Sequence, residues 1–179
     1  KESFSRIQSL AINSLVSGIK EDLSQFNVNF DTWYSENSLV QSGALETMVT
    51  RLKNGGFLYE KDGAWWFRSS DLGDEKDRVV IRANGSHTYF ATDIAYHMEK
   101  LDRGFDQLIN VWGSDHHGYI SRMKAAIAAL DRNPNDLTVL TVQFAALYRD
   151  GEKVSMSTRS GEFITMRELF EEVGLDAAR

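Results

Sequence analysis

Leu108-Ile109-Asn110-Val111-Trp112 runs straight into Gly113-Ser114-Asp115-His116-His117-Gly118, an apolar run that stops in six polar or glycine residues. A short apolar run bounded by glycine reads as a strand, and the helical spacing that resumes from Tyr119 to Leu130 reads as the helix after it. The same order occurs just upstream, where Val79-Val80-Ile81 reads as a buried strand and Thr88 to Leu101 as a helix. Strand, helix, strand, helix predicts a parallel sheet with right-handed crossovers, so the fold class is α/β. Val139 to Leu147 continues the pattern as a further strand, followed by the turn Arg149-Asp150-Gly151-Glu152. Thr165-Met166-Arg167-Glu168 is a capping box that opens a last helix ending near Val173-Gly174.

The region before Asp71 is of another kind. Phe4, Ile7, Leu10, Ala11, Leu15 and Ile19 recur at helical spacing and predict one long amphipathic helix reaching Leu23. Phe26, Val28 and Phe30 alternate with Asn27 and Asn29, the period of a short half-buried strand. A second helix fits Gly43 to Lys53, closed by Asn54-Gly55-Gly56. Phe57-Leu58-Tyr59 and Trp65-Trp66-Phe67 flank Glu60-Lys61-Asp62-Gly63 as an aromatic β-hairpin. The charged stretch Asp71 to Asp77 then divides a helical and hairpin subregion, residues 1–77, from the strand-helix region that follows.

The chain has 179 residues, 42% hydrophobic and 26% charged, enough for one domain with an insertion and too ordinary for a disordered or fibrous chain. With 20 Lys and Arg against 26 Asp and Glu, the net charge of −6 repels phosphate backbones, so any nucleic-acid contact must be local. There is no cysteine, hence no disulfide, thiolate metal site or catalytic thiol; this is compatible with a reducing cytoplasm, the expected location, and by itself fixes no compartment. No apolar run approaches the roughly 18 residues of a membrane span. A first residue Lys1 in place of Met points to a piece of a longer chain.

In an open α/β sheet, ligands bind beyond the carboxyl ends of the strands. The turn Gly113 to Gly118 stands there, with glycines for close backbone approach, Asp115, His116 and His117 for hydrogen bonds, and helix N–H groups for an anion. On the preceding helix Tyr89, Asp93 and His97 follow at i, i+4 and i+8, with Tyr96 three residues after Asp93. A carboxylate beside phenol hydroxyls suits a guanidinium or ammonium ligand through charge-assisted hydrogen bonds. The stretch Lys153 to Gly161 carries two cations, no acid and four hydroxyls, a composition able to wrap a polyphosphate. Each also has a bland reading: a capped turn, a solvated helix face and a polar linker.

Three segments in this order, Arg82 to His97, Val111 to Tyr119 and Ser155 to Gly161, resemble the second half of the catalytic domain of bacterial arginyl-tRNA synthetases, class I enzymes with a Rossmann-type fold. The resemblance runs over essentially the whole chain. It implies residues 1–77 as an α+β hairpin-containing insertion, 78–174 as the second half of the Rossmann-type parallel sheet with a signature loop at 153–161, and 175–179 as the junction toward an anticodon-binding domain. It further implies L-arginine, ATP and tRNA(Arg) as partners, with arginyl-adenylate formed from ATP, pyrophosphate released and arginine passed to the tRNA 3′-end. Mg2+ is expected with ATP, and no protein-bound metal site is expected. By position, Tyr89, Asp93 and His117 take the arginine. Gly113, Asp115, His116, Ser155, Met156, Ser157, Thr158 and Arg159 take ATP, and Lys153, Ser157 and Arg159 carry the catalytic role in the loop.

Two departures stand out. Ser155 and Thr158 occupy the lysine positions of the usual Lys-Met-Ser-Lys-Ser signature, leaving Lys153 and Arg159 as the local cations. The second class I signature, His-x-Gly-His, is absent, the four histidines being His87, His97, His116 and His117. The chain is therefore expected to be a partial segment, inactive alone and prone to self-association through an exposed sheet edge. Two rival readings are a metal-dependent phosphoesterase built on Asp115-His116-His117, against which Asp71, Asp74 and Asp77 stand three apart in a loop and follow no strand, and a non-catalytic RNA-binding fragment stacking bases on Trp65, Trp66 and Phe67.

Overall fold

The computed structural model describes residues 2–143, 145–154, 156 and 163–178. The chain forms two compact units, one of Tyr34–Ala145 and one of Lys1–Trp33 with Ala146–Arg179.

In the first unit, helices Asn37–Gln41 (α2) and Ala44–Asn54 (α3), numbered after the long helix Glu2–Gln25 (α1) of the other unit, bury Leu39, Leu45, Met48 and Leu52. Strands Leu58–Lys61 (β1) and Ala64–Phe67 (β2) form the expected hairpin. Asp62 and Gly63 both take positive φ (54° and 73°), the requirement of a two-residue turn matched to strand twist. Phe67 is fully buried beneath this hairpin, while Lys53 Nζ lies 3.6 Å from the Trp65 ring centroid. Phe67 is thus committed to the core, while Trp65 and Trp66 are half-buried.

Helix Tyr89–Asp102 (α4) starts at Thr88, whose side chain accepts from the Ala91 N–H, and buries Phe90, Ala91, Ile94, Ala95 and Met98. Strand Leu108–Gly113 (β4) pairs in parallel with Leu137–Val142 (β5), in register from Leu108 with Leu137 to Gly113 with Val142. The connection between them is the helix Ile120–Ala129 (α5), as the crossover rule requires. The molecule is mixed α/β, with this parallel pair beside antiparallel strands.

Three local expectations are corrected. Strand Arg78–Ile81 (β3) does not enter the parallel sheet: it extends the hairpin, antiparallel to β2, because its partner is supplied by Trp65 to Phe67 only a short loop away. The strand expected at Val139 to Leu147 starts and ends earlier, at Leu137–Val142, where β4 stops offering backbone partners. Phe26 to Phe30 forms no strand: Asn27 takes a left-handed φ of 60° at the end of α1, and Val28 and Phe30 are exposed. Alternation without a neighbouring strand does not produce one, since the backbone groups need partners.

In the second unit α1 is joined by the small hairpin Tyr148–Arg149 (β6) and Glu152–Lys153 (β7), then helices Met166–Val173 (α6) and Leu175–Ala178 (α7). Thr165 and Glu168 form the expected reciprocal capping box at α6. Phe26 packs on Phe170 with ring centroids 5.4 Å apart, and Arg167 Nε donates to Asp22 Oδ1 at 2.9 Å. No helix among the described residues is long and apolar enough to cross a membrane.

Candidate functional site

The carboxyl end of β4 leads into a 3-10 segment, Ser114–Tyr119, and the start of α4 stands beside it. Two adjoining cavities open there. One, of about 330 Å³, is lined by Tyr34, Glu36, Leu39, Tyr89, Thr92, Asp93 and Tyr96. The other, of about 480 Å³, shares Tyr89, Asp93 and Tyr96 and adds residues of β4 and the 3-10 segment, among them Trp112, His116 and Tyr119. Asp93 is therefore the acid common to both, walled by aromatic rings.

The walls are built by stacking. Tyr34 stacks on Tyr96 with centroids 4.4 Å apart, and its hydroxyl donates to Glu99 Oε2. Tyr119 is held edge-on by Phe90 (5.9 Å) and Trp112 (5.7 Å), with the Arg122 guanidinium 4.7 Å above its ring. Its hydroxyl donates to Asp93 Oδ2 at 2.6 Å. Arg122 in turn lies 3.6 Å from the buried Asp74 Oδ2, which also receives Arg78 Nε at 2.8 Å and Ser69 Oγ at 3.1 Å. A structural ion cluster thus ends on the ring that touches Asp93.

Burial pushes the Asp93 carboxyl above the usual carboxylate range; the Tyr119 hydrogen bond opposes this, and repulsion from Glu36 adds to it. An acid held so has most to gain from a cationic ligand. Burial, with the hydrogen bond to Asp93 next in weight, holds the Tyr119 hydroxyl far above its ordinary value, so it stays a donor. Beneath Asp93, His97 is buried and its pKa is pushed down to about 4, by burial and then by the nearby Lys100 charge. It is neutral at pH 7. Since the Asp93 carbonyl can only accept, the 2.7 Å contact makes His97 Nδ1 the donor, and Nε2 then accepts from Asn110 Nδ2 at 2.7 Å. Lys100 Nζ reaches Asn110 Oδ1 at 3.4 Å, and burial lowers its pKa.

Of the residues singled out from sequence, Tyr89, Asp93, Tyr96, His97 and His116 line the cavities, Tyr89 being 81% exposed. Gly113 ends β4, and Asp115 lies 3.6 Å from His116 on the exposed 3-10 segment. His117 is exposed and lines neither cavity. Lys153 is exposed on β7 of the other unit and Met156 is exposed, while Ser155, Ser157, Thr158 and Arg159 lie outside the described residues. No group of three or more His, Cys, Asp or Glu able to hold a metal occurs among the described residues. Asp74 is committed to Arg78, and Asp77 accepts from Ser70 and Tyr59, so neither acid is available to the phosphoesterase reading.

Tyr34, Lys100, Asn110, Trp112 and Tyr119 were not among the sequence candidates. Asn110 carried a signal: it occupies an inward register position of β4, two residues after buried Leu108, where an apolar residue is the rule. Tyr119 carried none, because its partner lies 26 residues away.

Residues 2–179 match the family model described as "tRNA synthetases class I (R), catalytic domain". The chain is 61% identical over 170 residues to an arginine–tRNA ligase of Thioalkalivibrio sulfidiphilus, covering 95% of this chain and 29% of that protein. It is 54% identical to the arginine–tRNA ligase of Legionella pneumophila over 100% of this chain and 30% of the relative. A Campylobacter jejuni crystal structure described as an arginyl tRNA synthetase superposes with a TM-score of 0.90 at 40% identity, covering 99% of this chain and 38% of that one. The chain spans 28–31% of the length of the curated relatives it matches.

Proposed function

The chain belongs to the class I arginyl-tRNA synthetase family, in its catalytic domain, and we propose that it carries the arginine subsite and part of the ATP subsite of an arginine–tRNA ligase. The observation that carries this reading is Asp93, a partly buried carboxylate shared by two aromatic-walled cavities at the carboxyl end of a parallel strand. A guanidinium is planar, always charged and attracted both to a carboxylate and to aromatic faces, so it matches each element of that site.

In this reading Asp93 receives the guanidinium, and Tyr89 closes over it. Gly113, Asp115 and His116 take the adenosine of ATP, which arrives with Mg2+. His117, outside both cavities, is assigned to arginine by correspondence with the family, and the loop 153–161, with Lys153, Ser155, Met156, Ser157, Thr158 and Arg159, receives the pyrophosphate. The arginine carboxylate attacks the α-phosphate in line, pyrophosphate leaves, and the arginyl group passes from the adenylate to the 3′-end of tRNA(Arg). Little more than positioning and charge neutralisation is asked of the protein in that step. Residues 1–77 are then the insertion, 78–174 the second half of the catalytic domain and 175–179 the junction, a division by correspondence with the family. The cytoplasm, where translation takes place, is the proposed location.

The test is calorimetric titration of the purified chain with arginine, lysine and citrulline. Arginine is expected to bind roughly 10–100-fold more tightly than citrulline, the neutral isostere, since a charge-assisted hydrogen bond contributes about 1.5–3 kcal/mol. Equal affinity for the two would overturn the reading.

The isolated chain is also proposed to self-associate. Ile109, Val111, Leu140 and Val142 are all more than half exposed on the two parallel strands, and parallel sheets are stable when both faces are covered. Light scattering is expected to show mass rising with concentration, and Val111→Glu with Leu140→Glu to reduce it. A monomer at high concentration counts against the proposal.

A further inference from the structure

We propose that Tyr119 is the positioning residue of the arginine subsite: its hydroxyl, bonded to Oδ2 of Asp93, sets the plane of that carboxylate and leaves Oδ1 for the guanidinium. The inference rests on the arginine reading given above. An aspartate in the second turn of a helix, facing a cavity, can rotate about both side-chain bonds, and each unwanted orientation weakens a directional charge-assisted hydrogen bond. Tyr119 removes that freedom because it is itself fixed. Phe90 and Trp112 hold its ring edge-on, Arg122 covers its face, and the backbone around it is a 3-10 segment leading directly into α5. The 2.6 Å hydrogen bond thus ties α4 to the turn after β4, two elements that line the same cavity. Among the described residues Oδ1 takes no side-chain hydrogen bond, so one oxygen is anchored and the other offered.

The groups acting on Asp93 come from several elements: Glu36 at the start of α2 repels its charge, while Lys100 of α4 and His116 of the 3-10 segment favour it. Glu36, Lys100 and His116 remain in place when the Tyr119 hydroxyl is removed, which isolates its effect. Tyr119→Phe keeps the ring and its packing and deletes one oxygen. The Asp93 carboxyl, losing a hydrogen bond to its charged form, is expected to titrate at higher pH, followed directly through its carboxyl carbon by NMR. Arginine affinity at pH 7 is expected to fall about 3–10-fold, and the pH at which binding is half lost to rise with the carboxyl titration. A purely packing role would move neither titration.

Two results separate the possible failures. An unchanged Asp93 titration and unchanged arginine affinity in Tyr119→Phe, with binding still lost in Asp93→Asn, overturns the positioning role and leaves the arginine reading standing. A wild-type chain that binds no arginine overturns that reading, and the positioning role with it.

Discussion

Asp93→Asn is expected to weaken arginine binding by about 100-fold, near 3 kcal/mol, while leaving the fold as stable as before or slightly more so. Asparagine has nearly the same shape, and its side-chain oxygen can still accept from the Tyr119 hydroxyl, so the local packing survives. What is lost is the charge proposed to meet the guanidinium in a partly buried site. The stability expectation follows from the sign of the Asp93 shift. Burial, before the opposing Tyr119 hydrogen bond, raises its carboxyl pKa in the folded state, so at pH 7 its charge works against folding, and that cost rises as pH climbs through the folded value. Removing the charge relieves it. Binding by calorimetry and unfolding by urea, taken together, distinguish this from a folding defect. Arginine affinity within about threefold of wild type would remove Asp93 from the site.

The ion cluster behind the site answers to the opposite sign. Asp74→Asn is expected to cost the Tyr34–Ala145 unit about 3–5 kcal/mol, a large share of the stability of a typical domain. The Asp74 side chain is fully buried and accepts from Arg78 Nε at 2.8 Å, Arg78 Nη2 at 3.0 Å, Ser69 Oγ and the Glu75 N–H. An amide there would leave the Arg78 and Arg122 charges without their counterion and point donors at donors. Burial acts to raise the Asp74 carboxyl pKa, but Arg78, the Glu75 N–H and Ser69 outweigh it and hold it below the ordinary 3.8. Its contribution is therefore fully present above about pH 4 and is lost as pH falls through the folded value. Urea unfolding followed by tryptophan fluorescence at pH 7 and at pH 3 checks both points. The gap between wild type and variant should narrow in acid. A loss below about 1 kcal/mol at pH 7 would mean that the two arginines find other partners.

Arg122 connects the two experiments. It lies between Asp74 and the Tyr119 ring, so Asp74→Asn is expected to loosen the Tyr119 hydroxyl as well. Stability and binding should fall together in that variant, whereas in Asp93→Asn only binding falls.

What could be read without the structure was local. Thr88 as the cap of α4, the Asp62-Gly63 turn and the Thr165 to Glu168 capping box each depend on residues within four positions of one another. The side chains involved and the backbone they satisfy are encoded side by side. The spacing of Tyr89 and Asp93 on one helix, and the polar turn after β4, are legible for the same reason, and they located the cleft. Ordered motifs along the chain carried the family.

The tertiary structure decided where each segment finds its partner. The apolar run Val79 to Ile81 is compatible with a parallel or an antiparallel neighbour, and the choice of β2 rests on which backbone groups lie within reach. The apolar run after Leu137 could extend to Leu147, but it is a strand only where β4 runs alongside. Asp93 meets Tyr119 across 26 residues, and Tyr34 meets Glu99 across 65. Neither pair leaves a periodic trace, because a hydrogen bond between side chains on different elements imposes no spacing on the sequence. The sequence alone determined the longer helices, the capped and glycine turns and the family; the folded arrangement alone determined which tyrosine holds the acid, because that depends on the packing of one helix against the end of one strand.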